Sequence, residues 1–272
     1  MPAVQTDARS QIELSNTLLT MMSAADFASL SPLMVEVDLV HGVDLVRSDE
    51  PIFDCWFPLA GVVSIIAMTP SGLQTEVGVV GFEGFVDLAT IHGSHFTPQR
   101  ALVQIPGRAL RLKASLLSLA MQGSPTLSAL MLAYAQAFSV QVAGTALANS
   151  QFTLDQRLAR WLLMCADRVG PCGIVLTHES LSIMLGVRRA GVTVALHQLE
   201  LIGAIVTRRG GIDIFDRSRL LGIAGESYGT PEGEYRRLVG KADWRTAAAS
   251  CPISPGAADV LKSDERRGIK SN

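Results

Sequence analysis

The stretch Ala114–Leu154 contains no charged side chain over 41 residues, and it constrains the fold more than any other feature of the sequence. Within it, residues 127–148 are numerous enough to span a bilayer as a helix. This segment nevertheless contains Gln136 and Gln141, and no basic cluster flanks it to set an orientation in a membrane. We therefore expect a helix that is buried on more than one face and that does not enter a membrane.

Larger side chains recur along this helix in alternating steps of four and three residues. A repeat of about 3.5 residues is typical of a helix that packs along one seam against another helix. We therefore predict a dimerisation helix over residues 125–152, with a core helix of a monomer as the alternative. The predicted dimer contacts are Leu127, Met131, Tyr134, Phe138, Gln141 and Thr145.

The residues before this helix follow a different pattern. Short apolar or alternating runs are separated by turns rich in Gly, Pro and Asp, which is typical of a compact antiparallel β roll. We predict such a domain over residues 1–124, with one or two short helices over Gln11–Leu30. The expected strands are Val35–Val40, Leu45–Arg47, Trp56–Phe57, Val62–Met68, Thr75–Val80, Ala101–Ile105 and Ala109–Leu112.

Helix caps and glycine turns predict a second domain over residues 153–228. Thr177 can cap a helix that ends at Gly186, and another helix follows. Two short helices joined by a tight glycine turn form a helix-turn-helix, and a hairpin after them makes it winged. The expected elements are helices Leu154–Val169, His178–Leu185 and Arg188–Ile202 and strands Ile174–Leu176, Ile205–Thr207 and Ile212–Ile214. Residues 229–272 show no sustained period, which predicts a mostly disordered tail.

The net charge of −2 does not indicate a nucleic-acid partner when the chain is taken whole. The charges are unevenly distributed, however. Residues 1–152 carry 6 basic and 12 acidic side chains, whereas residues 153–219 carry 9 arginines and 6 acidic side chains. The winged domain is therefore the basic part of the chain, and we predict that it binds double-stranded DNA.

The geometry of a winged helix-turn-helix indicates which residues would contact DNA. The second helix enters the major groove, and residues near its N-terminus reach base edges, where arginine suits guanine. The start of the first helix can hold a phosphate, and the wing tip suits the backbone or the minor groove. The predicted DNA-binding residues are Thr177, His178, Arg188, Arg189, Thr193, His197, Arg208 and Arg209.

Three segments resemble the Crp/Fnr family of transcriptional regulators. TLDQRLARWLLMCADRVG and LTHESLSIMLGVRRAGVTVALHQLELIGAI resemble the DNA-binding domain, and FPLAGVVSIIAMTPSGLQTEVGVVGFEGF resembles the cyclic-nucleotide-binding-type roll. The resemblance implies an α+β fold with an N-terminal antiparallel β roll of double-stranded β-helix or jelly-roll type, a long dimerisation helix and a C-terminal winged helix-turn-helix. It also implies a homodimer on a palindromic DNA site that acts through RNA polymerase.

The resemblance also implies a ligand site in the roll. Family members that bind cyclic AMP carry Gly-Glu followed later by Arg-Ser or Arg-Thr, which hold the ribose and the phosphate. The matching positions here are Gly84, Phe85, Arg100 and Ala101, so the glutamate and the hydroxyl are missing. This departure disfavours a cyclic nucleotide, and it leaves another small ligand or no ligand as the alternatives.

Other classes have little support. No two cysteines form a C-x-x-C pair, so we predict no metal site and no cofactor. His178-Glu179 begins like the H-E-x-x-H motif of zinc enzymes, but Ser182 stands where the second histidine belongs, and we predict no enzyme. The N-terminus lacks the pattern of a signal peptide, which favours the cytoplasm. The alternative function is a ligand-binding or protein-interaction module with degenerate DNA binding.

Overall fold

The computed structural model describes residue 11 and residues 14–170, 174–208 and 210–240. The predicted wing residue Arg209 and residues 241–272 of the predicted tail lie outside this set. The described part begins with two short helices, α1 (Thr17–Met21) and α2 (Ala24–Leu30), as predicted. The side chain of Asn16 caps α1 and also donates to two backbone carbonyls of the roll, at 2.8 and 2.9 Å, which fixes these helices to it.

Five antiparallel strands form the predicted β roll, together with two short helices. The strands pair in the order β1-β5-β3-β4, and β2 also pairs with β5. The elements are β1 (Val35–Leu39), β2 (Asp44–Val46), β3 (Asp54–Met68), β4 (Gln74–Val80), α3 (Leu88–Ile91), β5 (Gln99–Lys113) and α4 (Ala114–Gly123).

Two strands are longer than the sequence predicted, because apparent turns are bulges within them. Residues 56–57 and 62–68 both belong to β3, and residues 101–105 and 109–112 both belong to β5. The pairing between these strands shifts around Ala60, and Gly61 takes a positive φ of 89° there. A Cβ on the opposing Gly107 would collide with the carbonyl group of Ala60. The glycines therefore allow two bent strands to approach closely rather than ending them.

The long helix α5 (Pro125–Gln151) begins after the Ser124 cap, and the structure corrects the predicted role of its apolar seam. Its own chain covers these residues. Leu127, Met131, Tyr134, Phe138 and Gln141 are all buried, and Thr145 is half-buried beneath Arg160, which donates to its hydroxyl. The 3.5-residue spacing located an apolar stripe, but spacing alone does not determine which surface covers that stripe.

Another face of α5 is exposed and carries no charge. We call it the α5 stripe, and it consists of Ala129, Leu132, Gln136, Ser139, Ala143, Ala146, Leu147 and Ser150. These residues recur every three or four positions, so they lie along one side of the helix. By length and composition α5 could cross a membrane, because its most apolar window has a mean hydropathy of 1.3. The core helix of a soluble protein can be equally long and apolar, so these two properties alone are weak evidence for a membrane span.

The C-terminal domain has the predicted order of helices and hairpin. Its helices α6, α7 and α8 and its three strands lie within one or two residues of their predicted bounds. Its elements are α6 (Leu154–Val169), β6 (Ile174–Val175), α7 (His178–Leu185), α8 (Arg189–Leu201), β7 (Ile205–Arg208), β8 (Gly211–Ile214) and α9 (Arg217–Ala224). The strands form one sheet in the order β6-β8-β7.

The predicted disordered tail begins too early, because residues 230–238 form a helix, α10 (Thr230–Leu238). It packs along α5, where Pro231 lies beside Gly144. Tyr235 is buried and donates to the backbone carbonyl of Glu83 at 2.5 Å. This segment is short and contains glycine and several charges, so an isolated helix would be marginal, and its contacts with α5 and the roll stabilise it.

Candidate nucleic-acid interface

The glycine turn between α7 and α8 sets the angle at which the second helix leaves the first. Thr177 caps α7 by accepting from the backbone N–H of Ser180 at 3.0 Å. Gly186 ends α7 in the left-handed region, with φ 61° and ψ 37°, a conformation that strains other residues. The apolar face of α8 then packs on the domain core through Val192, Ala195, Leu196 and Leu199.

Burial of that face leaves the predicted contact residues of α8 exposed together. Arg188, Arg189, Thr193 and His197 all lie on the solvent side of the helix. The two arginines stand at the N-terminus of α8, where a helix has unpaired N–H groups and a partial positive charge. This end therefore combines two side-chain cations with the dipole, which favours an anionic partner.

The two predicted residues at the start of α7 have structural roles as well. Thr177 is half-buried, and its hydroxyl is engaged in capping. His178 Nδ1 lies 3.1 Å from Thr193 Oγ1, and that hydroxyl also donates to the carbonyl of Arg189 at 3.2 Å. His178 and Thr193 thus join the two helices at the surface that faces solvent.

The wing is connected to the end of α8. Glu200 accepts from both the backbone N–H and the hydroxyl of Thr207 in β7, and these bonds lower the pKa of Glu200. Arg208 follows, with 72% of its side chain exposed, and forms an ion pair with Asp213 across the hairpin. The wing therefore presents Arg208 from a fixed strand position.

Sequence reasoning missed the second exposed row of α8, which contains Ala190, Val194 and Gln198. These residues lie one position after Arg189, Thr193 and His197, so the two rows run side by side along the helix. The spacing of the buried residues could have located this row, because it fixes which residues face away from the core.

The winged domain is docked on the roll through buried polar contacts that sequence reasoning also missed. Trp161 in α6 donates its indole N–H to Glu76 in β4 at 2.6 Å, and Ser64 in β3 donates its hydroxyl to the same carboxylate. Arg168 in α6 forms a buried ion pair with Glu83, with a shortest N–O distance of 2.7 Å. These contacts fix the direction in which α8 faces solvent.

Glu76 titrates near neutral pH. Burial raises its pKa from an ordinary 4.5 to about 7, although hydrogen bonds from Ser64 and Trp161 and the charges of Arg160 and Arg168 oppose this rise. The folded protein therefore holds this proton more tightly than the unfolded chain, and protonation stabilises the fold.

We expect the stabilising effect of Glu76 to be complete below pH 4.5 and to be lost as the pH rises to 7. The loss in the free energy of unfolding amounts to up to about 3 kcal/mol. Glu76→Gln mimics the neutral form and should flatten this part of the pH dependence in urea unfolding at pH 5 to 8. Burial also raises the pKa of Asp87 to about 6. Asp87 titrates in both proteins, so its contribution to the pH dependence is the same in both and cancels in the comparison. Equal pH slopes in both proteins would contradict the role of Glu76.

Three of the four predicted ligand residues line one cavity of the roll. Phe85, Arg100 and Ala101 border it together with Asp87, and Arg100 is already paired with Asp44. The fourth residue lies elsewhere, because Gly84 packs under the long helix, where a Cβ would collide with the hydroxyl group of Tyr134.

The cavity does not fit a cyclic nucleotide. A phosphate needs an available cation. Arg100 is the only cation among the described residues that line this cavity, and its side chain is both paired with a carboxylate and only 28% exposed, unlike the exposed Arg208 of the wing. The buried Phe85 stands where the ribose-binding glutamate would be expected. Asp87 adds a carboxyl group that repels anions when it is ionised.

The comparisons with known proteins agree with this architecture. A family model described as the Crp-like helix-turn-helix domain matches residues 156–223. The chain thus contains a Crp-like helix-turn-helix domain on the fold of the Crp/Fnr regulators, which are DNA-binding transcription regulators. The resemblance noted in the sequence and the predicted α+β architecture are confirmed at this level.

Individual solved structures match most of the chain at low identity. A chain from Eubacterium rectale assigned to the crp/fnr family is 18% identical with a TM-score of 0.61, covering 76% of this chain and 97% of that one. FixK2 from Bradyrhizobium japonicum is 17% identical with a TM-score of 0.61, covering 71% and 98%. The c-di-GMP responsive regulator CLP from Xanthomonas campestris is 16% identical with a TM-score of 0.55, covering 71% and 99%. No curated protein matches the sequence.

Proposed function

We propose that this protein is a cytoplasmic, homodimeric transcription regulator that binds a palindromic DNA site. The exposed N-terminus of α8 carries this proposal, because it combines Arg188 and Arg189 with the helix dipole. The position of Arg208 on the adjacent wing supports it, since α8 and the wing could then contact the major groove and the neighbouring backbone together. Action through RNA polymerase and the absence of an enzymatic activity belong to the same proposal.

The α5 stripe is the proposed dimer interface. It is long, uncharged and exposed, and small residues such as Ala129, Ala143 and Ala146 allow a second helix to approach closely. Water would otherwise face an uncharged and largely apolar surface along this helix, and such a surface is the usual mark of an interaction site. Packing this stripe on its own copy by a two-fold axis would place two α8 helices on one symmetric site.

A dimer is also needed for affinity. The winged domain has only a small basic excess, so one copy would neutralise few phosphates. Two linked copies make the second binding event intramolecular and multiply the affinity. We therefore expect DNA binding that is weak for one domain, tighter for the dimer, and strongly reduced by salt.

Regulation by a small molecule in the roll is the less specific part of the proposal. The cavity beside Phe85 and Asp87 favours a neutral or cationic molecule over an anion, since its one lining cation is paired. The Xanthomonas campestris relative responds to c-di-GMP. The paired cation and the carboxyl group here disfavour transferring that anionic ligand to this chain.

We expect Arg189→Ala to weaken binding to a selected DNA site by at least about tenfold, because it removes from each half-site a base contact worth about 1–3 kcal/mol. The site is obtained by in vitro selection from random DNA, and affinity is measured by gel shift. Arg47→Ala serves as the control, since Arg47 lies on the roll with 66% of its side chain exposed. Failure to select any sequence would favour the alternative, a ligand-binding or interaction module.

A further inference from the structure

The second exposed row of α8 has a different chemistry from the first. Ala190, Val194 and Gln198 carry no charge, and Val194 is 61% exposed. Among the described residues of α8 and the wing strands, cations stand near the ends of this surface, at Arg188 and Arg189 on α8 and at Arg208 on the wing. An apolar side chain thus lies at the centre of a surface whose borders are positive.

Neither folding nor packing explains a valine at this position. Val194 faces solvent in the middle of α8, so it contributes nothing to the core. Valine is also a weaker helix former than alanine, leucine, lysine or glutamate, which exposed helix positions favour. The neighbouring Thr193 differs, because its hydroxyl is already bonded to Arg189 and lies beside His178. Val194 is therefore an exposed apolar side chain in mid-helix, and neither core packing nor helix propensity explains it.

The major groove contains one apolar group that matches such a side chain. Thymine carries a methyl group on C5, and apolar side chains distinguish it by direct contact. We propose that Val194 contacts a thymine methyl group and so specifies thymine at one position of each half-site. This inference rests on the proposed DNA-binding function. It adds recognition of thymine to the recognition of guanine that the arginines are expected to provide.

The test uses DNA in which a single methyl group is removed. A site is selected with the full-length protein, and each thymine of a half-site is replaced in turn by deoxyuridine, which keeps the base pair and lacks the methyl. We expect one position to weaken binding about three- to fivefold, since a buried methyl group is worth about 0.8 kcal/mol. Gel-shift affinities give the ratio for each position.

A double-mutant cycle assigns that loss to Val194. Val194→Ala should bind the thymine site less tightly and should bind the thymine and deoxyuridine sites equally. Val35→Ala is the matched control, because Val35 is an exposed valine of the roll and should leave the ratio unchanged.

The outcomes separate the inference from the proposed function. If no DNA site is selected, the proposed DNA-binding function fails. If a site is selected but no thymine is sensitive, or if Val194→Ala keeps the same deoxyuridine penalty, the function stands and the role of Val194 is overturned.

Discussion

Arg168→Leu is expected to lower the free energy of unfolding by about 3–5 kcal/mol, because it leaves the carboxylate of Glu83 buried without its partner. Both side chains are almost completely buried, with 3% and 4% of their surfaces exposed. Burial alone would lower the pKa of Arg168, but attraction to Glu83 and Glu232 raises it above the ordinary value. Arg168 also donates to the carbonyl of Met164 at 2.7 Å, so the substitution removes a second bond. Urea unfolding monitored by circular dichroism measures the change.

An exposed ion pair provides the control for this substitution. Arg108→Leu breaks the pair of Arg108 with Glu36 on the roll, where half of the Arg108 side chain faces water, and should cost about 1 kcal/mol or less. The double substitution Glu83→Gln with Arg168→Met should recover part of the loss, because it removes both charges. Equal destabilisation by Arg168→Leu and Arg108→Leu would contradict the structural role of the buried pair.

Ala143→Glu is expected to convert the proposed dimer into a monomer. Ala143 lies in the α5 stripe and is exposed in the single chain, so the substitution leaves the monomer fold intact. In a two-fold dimer it would bury one unpaired carboxylate from each copy, at a cost of about 3–5 kcal/mol each. Each 1.4 kcal/mol is about a factor of ten, so dimerisation should weaken at least about a hundredfold. Analytical ultracentrifugation measures the mass over a range of concentrations.

The matched control for this prediction lies on the same helix. Asn149 is exposed but faces away from the α5 stripe, and Asn149→Glu should leave the dimer unchanged. The monomeric variant should also lose most of its affinity for the palindromic site while it retains its secondary structure. A dimer that survives Ala143→Glu would place the interface on another surface.

The winged domain was predictable because local residues determine its boundaries. Thr177 caps α7 and Gly186 ends it in a left-handed conformation, and both effects depend only on neighbours within a few positions. The positions that α8 buries also follow from a helical period of 3.6 residues. The sequence alone therefore suffices to assign Arg188, Arg189 and His197 to an exposed face.

The features that sequence reasoning missed depend on contacts between distant residues. Trp161 and Glu76 are 85 positions apart, and neither residue belongs to a local motif. The bulge at Gly61 resembles a turn until the opposing Gly107 is known. The apolar seam of α5 was located correctly, but it was assigned to a dimer interface. It is buried within its own chain instead, because the same apolar side chains can pack either on the roll or on a second copy.

The path of α10 brings the two ends of the described chain together. A Cβ placed on Gly240 would lie only 2.8 Å from Cε of Met21, so the segment that follows α10 reaches the first helices. In a chain from which residues 1–13 and 241–272 are removed, a short linker could therefore join these ends, and the chain could be reopened at the exposed β3–β4 hairpin, residues 69–73, as a circular permutant with the same contacts. Such a permutant would have its new termini at this exposed hairpin, where a reporter could be fused.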